Sequence, residues 1–208
     1  QEIGGAALST VVTAPITVTN VAPVVAITGA PTSTVAEGTA VTLGQTVSDP
    51  GTADTHTFAW SVTKNGNPFA TGSGASFTFT PDDDGNYVAT VVATDDDGGQ
   101  DSDDVTITAT NAAPVVTITG APANAAPGVP VMLGVNVTDA GSADTHTYAW
   151  TVTKDGDPFA SGTGASFVFT PDGDGVYVAT VEGTDDDGGV DSDSVSINGQ
   201  YRLTLTAV

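Results

Sequence analysis

Aspartate is the residue with the most chemistry to offer in this sequence. All but three of its 25 acidic residues are aspartates, the exceptions being Glu2, Glu37 and Glu182, and only 3 lysines and arginines oppose them. The aspartates gather in short runs beside glycine. Ser48-Asp49-Pro50-Gly51 is followed by Asp54 and then by Thr94-Asp-Asp-Asp-Gly-Gly99; Thr138-Asp139-Ala140-Gly141 is followed by Asp144 and then by Thr184-Asp-Asp-Asp-Gly-Gly189. An asparagine precedes each set, Asn20 for the first and Asn111 for the second. Carboxylates brought together without lysine or arginine repel one another, and a hard divalent cation taking about six to eight oxygens removes that repulsion. The candidate calcium ligands are therefore Asp49, Asp54 and Asp95 with Asn20, and Asp139, Asp144 and Asp185 with Asn111. A competing reading is that Asp-Asp-Asp-Gly-Gly is a solvated turn and that acidic surface only confers solubility. Neither an EF-hand loop nor a glycine-rich nonapeptide repeat is present.

Other chemistries find less to work with. Cysteine is absent, which excludes thiol chemistry, disulfides and cysteine zinc sites. His56 and His146 recur in Asp-Thr-His-Thr, and recurrence at one repeat position argues for a structural or exposed strand-edge role. No Gly-x-Ser-x-Gly elbow, phosphate loop or His-Glu-x-x-His occurs. Repeated turns are poor places for one asymmetric active site, so the chain reads as a non-enzyme with no catalytic residue. With Lys64, Lys154 and Arg202 as its cations and a net charge of −22, it is not expected to bind nucleic acid. No apolar run approaches the ~18 residues of a membrane span. The two lysines are expected to point to solvent.

The elements that must position the aspartates are strands. Phe58, Trp60 and Val62 alternate with Ala59, Ser61 and Thr63, and Tyr87, Ala89, Val91 and Ala93 form one face of a longer strand. Trp60 and Trp150 fall on inward faces. Asn65-Gly66 and Asp155-Gly156 suit tight hairpins, and Asp83-Asp84-Gly85-Asn86-Tyr87 suits a tyrosine corner. The pattern repeats: Asn20-Val-Ala-Pro-Val-Val returns at Asn111, 91 residues on, and Ala53-Asp-Thr-His-Thr-Phe-Ala-Trp60 returns 90 residues on. One residue is thus lost in the second copy, in the loop after Pro31 and Pro122. The reading is all-β: two tandem Ig-like β-sandwiches of about seven strands each, residues 20–110 and 111–198. They are flanked by an N-terminal strand segment (1–19) and a C-terminal strand (199–208). Ile16-Thr-Val-Thr-Asn20 matches Ile107-Thr-Ala-Thr-Asn111, the last strand of module 1, and an Asn198-Gly199 turn is expected to lead into a strand containing Tyr201, Leu203 and Leu205.

Asn-x-x-Pro-Val-Val, Ser48-Asp49-Pro50-Gly51 before a Phe-x-Trp strand, Gly-x-Tyr and Thr-Asp-Asp-Asp-Gly-Gly resemble bacterial and archaeal PKD (polycystic kidney disease-like) modules. The chain departs from that pattern at Trp60-Ser-Val-Thr and Trp150-Thr-Val-Thr, where such modules commonly carry Trp-Asp-Phe-Gly-Asp-Gly, so a neighbouring Ig-like family stays open. The resemblance implies an extracellular β-sandwich used as spacer, adhesive or accessory module, sometimes with bound calcium. In such a sandwich the start of the first strand, the B–C loop and the F–G loop share one end. That convergence would bring the candidate ligands of each module together, those of module 2 at the junction between modules.

Two functions from different classes follow. In the first, the chain is a secreted prokaryotic structural protein of calcium-stabilised modules. It donates its N-terminal strand to another copy, joining head to tail into a cell-surface fibre; a chain starting at Gln1 fits a processed secreted protein. In the second, it is a spacer, adhesive or carbohydrate-binding accessory segment of a larger surface protein, with glycan contacts to be sought at Tyr201. Halophily also explains acidity, but concentration of aspartate in turns favours ion binding over it.

Overall fold

The computed structural model describes residues 13–200, all-β and without helices among them. Module 1 contains β1 (Val24–Thr28), β2 (Val35–Ala36), β3 (Val41–Ser48), β4 (His56–Lys64), β5 (Asn67–Ser73), β6 (Ser76–Phe79), β7 (Gly85–Asp95) and β8 (Gln100–Thr110). A three-stranded sheet, β1-β3-β6, faces a five-stranded sheet, β2-β8-β7-β4-β5. Module 2 repeats this with β9 (Val115–Thr119), β10 (Asn124–Ala125), β11 (Val131–Thr138), β12 (His146–Lys154), β13 (Asp157–Thr163), β14 (Ser166–Phe169), β15 (Gly175–Asp185) and β16 (Val190–Gly199). All pairings are antiparallel except the short β2–β8 and β10–β16 contacts. β9 lies 91 residues after β1, but β11 lies 90 after β3, so the missing residue falls in the first loop.

The alternating side chains form one core per module. In module 1, Leu43, Trp60, Val62, Tyr87, Ala89 and Val91 are buried together, drawn from both sheets; Leu133, Trp150, Val152, Tyr177, Ala179 and Val181 repeat them. The indole N–H of Trp60 donates to the Gly74 carbonyl at 2.9 Å, and that of Trp150 to Gly164 at 2.9 Å, so each ring is buried without an unpaired donor. The β4–β5 hairpin turns on Asn65 and Gly66 at φ 49° and 83°, and β12–β13 on Asp155 and Gly156 at 52° and 95°, the doubly left-handed pair of a type I′ turn.

The lysines correct the expectation that they face solvent. Lys64 pairs with Asp82 at 3.2 Å and Asp83 at 2.5 Å and lies over the Tyr87 ring; Lys154 pairs with Asp172 at 2.6 Å. Burial disfavours the Lys64 ammonium, but its bonds to Asp83 and Asp82 outweigh that and hold its pKa above the ordinary lysine value. The tyrosine corners explain the placement: Tyr87 Oη donates to Asp82, and Tyr177 Oη to Asp172, so each lysine meets a carboxylate already fixed by the corner.

A second correction concerns Asn198-Gly199. These residues are the last rungs of β16, opposite Val176 and Gly175 on one side and Asn124 and Ala125 on the other, and do not form a turn. Ile16-Thr-Val-Thr-Asn20 joins no ladder among the described residues, and Ile16 and Val18 are exposed. The expectations for residues 1–12 and for the strand with Tyr201, Leu203 and Leu205 lie outside the described residues.

β1 and β9 are edge strands whose free amides are occupied by side chains. Asp101 and Asp103 on β8 accept from the Val25 and Ile27 N–H groups at 2.8 and 2.7 Å. Asp191 and Asp193 do the same for Val116 and Ile118 at 2.9 and 2.7 Å. Two aspartates thereby stitch the two sheets of each sandwich along one side.

Candidate metal centre

At the outer end of module 1 three connections converge: residue 20 before β1, the loop from β3 to β4, and the turn from β7 to β8. Asp49, Asp54 and Asp95 each bring one carboxylate oxygen within 4.8 Å of the others. Asp49 Oδ1 accepts from the Gly51 N–H at 2.8 Å, and its Oδ2 meets His56 Nε2 at 2.9 Å. His56 is thus half-buried and orients a carboxylate, a structural role that its place at the start of β4 gives it. Asp95 is buried and well partnered: Oδ1 accepts from Asp97 and Gly99, and Oδ2 from Asn20 Nδ2 at 2.8 Å. The Asn20 bond, against opposing burial and with the turn amides, holds its pKa below the usual carboxylate range. Asp54 has no such donors; burial first, then Asp49, pushes its pKa up. Gly51 leaves room for this carboxylate, since a Cβ there would stand 2.1 Å from Asp54 Oδ2 and push it aside.

At the junction the counterpart set is assembled differently. Asp139 is oriented by His146 Nε2 at 2.7 Å, and Asp185 accepts from Asn111 Nδ2 at 3.0 Å and from the Gly189 amide. Burial opposes ionisation of Asp185, but those hydrogen bonds outweigh it and lower its pKa. The three oxygens lying within 4.8 Å of one another, however, belong to Asp139, Asp144 and Glu37, the last from module 1. Asp185 belongs to no such trio among the described residues. Glu37 is 2% exposed; its Oε1 accepts from the Ala112 N–H at 2.7 Å. Burial, countered by that amide and reinforced by Asp139, raises the Glu37 pKa. Asp144 is pushed up to about 6, by burial first and then by Glu37 and Asp139. Two neighbouring trios, Asp83-Asp84-Asp187 and Asp144-Asp186-Asp187, continue the acidic seam across the junction.

The donor set suits a hard cation. Glu37 Oε2, Asn111 Oδ1 and both carboxylate oxygens of Asp144 are buried without a hydrogen-bond donor. Oxygen-only surroundings with unsatisfied lone pairs are what calcium or magnesium takes and what an uncompensated fold avoids. The sequence reading brings together the asparagine, the β3–β4 loop and the β7–β8 turn of module 1, and their counterparts in module 2, but passes over Glu37, Asp83 and Asp84 as ligands. The available signal was a difference between the copies: Pro127 stands where Glu37 does, and Gly173 where Asp83 does.

Residues 30–109 match a family model described as the K319L-like PKD domain, which spans most of module 1. No curated protein matches the chain. Among solved structures, the chain is similar to the fibronectin(III)-like modules of Clostridium thermocellum CbhA, at 18% identity and TM-score 0.37, covering 88% of this chain and 98% of that one. It is also similar to three N-terminal domains of the bacteriophage RB49 highly immunogenic outer capsid protein, at 25% identity and TM-score 0.33, covering 79% of this chain and 55% of that one. A 1.5-MDa bacterial ice-binding adhesin, studied for its host cell surface retention, matches at 14% identity and TM-score 0.33, covering 88% and 66%.

Proposed function

We propose that this tandem pair of PKD-like, Ig-like β-sandwich modules is a calcium-stabilised structural segment of an extracellular or cell-surface protein. The observation carrying the reading is the set of buried, unpartnered oxygens at the module junction, in a chain with almost no basic residues to neutralise them. Asp49, Asp54, Asp95 and Asn20 would hold one ion; Asp139, Asp144 and Asn111 would contribute to another, with Asp185 fixing Asn111. When bound, calcium supplies positive charge at fixed points. The protein's residues orient the carboxylates through His56, His146 and the turn amides, and keep bulk water from Asp144. Extracellular modules bind calcium at about 0.1–1 mM, which suits sites made from a few side chains rather than from a dedicated loop. The PKD likeness supports the same compartment.

A second reading, head-to-tail assembly by strand donation, draws on one further observation. Ile16-Thr-Val-Thr-Asn20 copies the end of β8 in sequence, yet its apolar side chains are exposed and pair with no strand among the described residues. One preparation tests both readings. Thermal melts in 10 mM calcium and in chelator should differ, since ion at about 10 to 100 times Kd stabilises by about 1.4 to 2.7 kcal/mol; identical melts would overturn the calcium reading. Negative-stain images of the same samples should show filaments if strands are donated, and single two-bead particles in both conditions would sink assembly.

A further inference from the structure

We infer that Glu37 of module 1 is a ligand of the divalent-cation site of module 2, so that a single ion ties the modules together, and that the far end of module 2 cannot make the same tie. The inference rests on the calcium reading above and goes past it, because it moves the site from within a module to between two.

Glu37 is the first ground. It follows β2, where its own N–H donates to the Thr110 carbonyl at 3.0 Å as β8 ends. Its Oε1 is held by Ala112, leaving Oε2 buried and without a donor, and a Glu37 carboxylate oxygen lies within 4.8 Å of one from Asp139 and one from Asp144. A carboxylate in that position loses hydration and gains two like charges, an arrangement that persists only with a compensating partner. Among the described residues no lysine or arginine is paired with any of the three.

The chain contains its own comparison. At the outer end of module 1 the same loop positions, Pro50, Gly51, Asp54 and Asp97, line an open cleft. At the junction the corresponding Ala140, Gly141, Asp144 and Asp187 are met by module 1: the Ala143 N–H donates to the Asp82 carbonyl at 3.0 Å, and a Cβ on Gly38 would stand 2.7 Å from the Ala140 carbonyl oxygen. Only the covered set has a carboxylate with both oxygens sealed and unpartnered. The repeat then shows the direction of the tie. Module 2 carries Pro127 for Glu37 and Gly173 for Asp83, and a Cβ on Gly128, the counterpart of Gly38, meets nothing within 4 Å. The end of module 2 that corresponds to the donating end of module 1 thus has neither acid.

The test uses the full chain, whose lack of cysteine allows spin labels at Thr71→Cys and Ser161→Cys, exposed positions on β5 and β13. Pulsed electron-spin distance measurements in calcium chloride and in chelator are paired with calorimetric calcium titration. With Glu37 present, calcium should narrow the distance distribution. Glu37→Gln should leave it broad and weaken one class of calcium site about tenfold or more; Asp144→Asn should do the same, while Asp54→Asn keeps the narrowing. Circular dichroism of each variant in chelator verifies its fold. A Glu37→Gln chain that narrows in calcium as its parent does overturns the inference, because glutamine mimics a protonated, hydrogen-bonded Glu37 but not a ligand carboxylate. Calcium uptake by the parent without narrowing also overturns the inference while the calcium reading stands. Absence of any uptake overturns both.

Discussion

Asp95 and Asp144 carry the same side chain, and their surroundings oppose one another. The first accepts from Asn20 and from turn amides, so its charged form is welcome; the second lies sealed beside Glu37 and Asp139 with no donor, so its charge is resisted. Because Asp144 moves from 3.8 to about 6 on folding, the native state binds more protons than the unfolded chain between those values. Without an ion, stability from this group is therefore fully present below about pH 3.8 and is lost as pH rises through about 6. Asp95, Asp172 and Asp185, whose pKa values are lowered, act in the opposite sense: their contribution is present above pH 3.8 and is lost as pH falls further. Melting temperature in chelator should rise from pH 7.5 to 5 and fall in stronger acid. Asp144→Asn should flatten the upper limb of that profile, and saturating calcium should suppress it; an unchanged upper limb in Asp144→Asn contradicts this assignment.

Strand edges depend on aspartates of another kind. Asp101 and Asp103 alternate along β8 so that both carboxylates point to β1 and occupy its outward amides. An edge strand so occupied offers no free donors at those positions to an incoming strand. Asp103→Ala should cost about 2 kcal/mol, since it removes a charged acceptor and leaves the Ile27 N–H unpaired. Asp104→Ala, at an exposed position on the same strand, should stay within about 0.5 kcal/mol in urea denaturation. Equal losses for the two would mean that the stitch to β1 contributes nothing. The alternation Asp-Ser-Asp was visible in the sequence, but its target was not, because β1 lies 76 residues away and in the other sheet.

Across the whole molecule, the two modules meet through a glycine as well as through acids. Gly38 and Gly128 share a left-handed backbone, at φ 70° and 77°, so alanine strains each about equally, by roughly 1 kcal/mol. Only Gly38 faces the neighbouring module, with Ala140 Cβ 2.9 Å from where its own Cβ would stand. Small-angle scattering in calcium should show Gly38→Ala displacing the modules from their native arrangement and Gly128→Ala leaving it intact; matching profiles would show that the contact does not set the arrangement. This pair separates backbone strain from inter-module contact, which a single variant cannot do.

Much of this was legible along the chain. Period-two alternation determined the strands and both cores, because the pleat sends successive side chains to opposite faces. Asn65-Gly66 and Asp155-Gly156 determined two hairpins through the cheap positive φ of their residues. Self-comparison placed the repeat and its missing residue in the loop after β1. Knowing the sandwich, the sequence also brought Asp49, Asp54 and Asp95 to one end. Tertiary structure decided what lies against that end in module 2. Glu37 reaches Asp139 and Asp144 only because β2 runs parallel to the last rungs of β8 and delivers the residue that follows it to the module boundary. No local pattern encodes that approach. It left one mark in the sequence, an acid in the first copy where the second has proline, and only the fold gives that difference its chemistry.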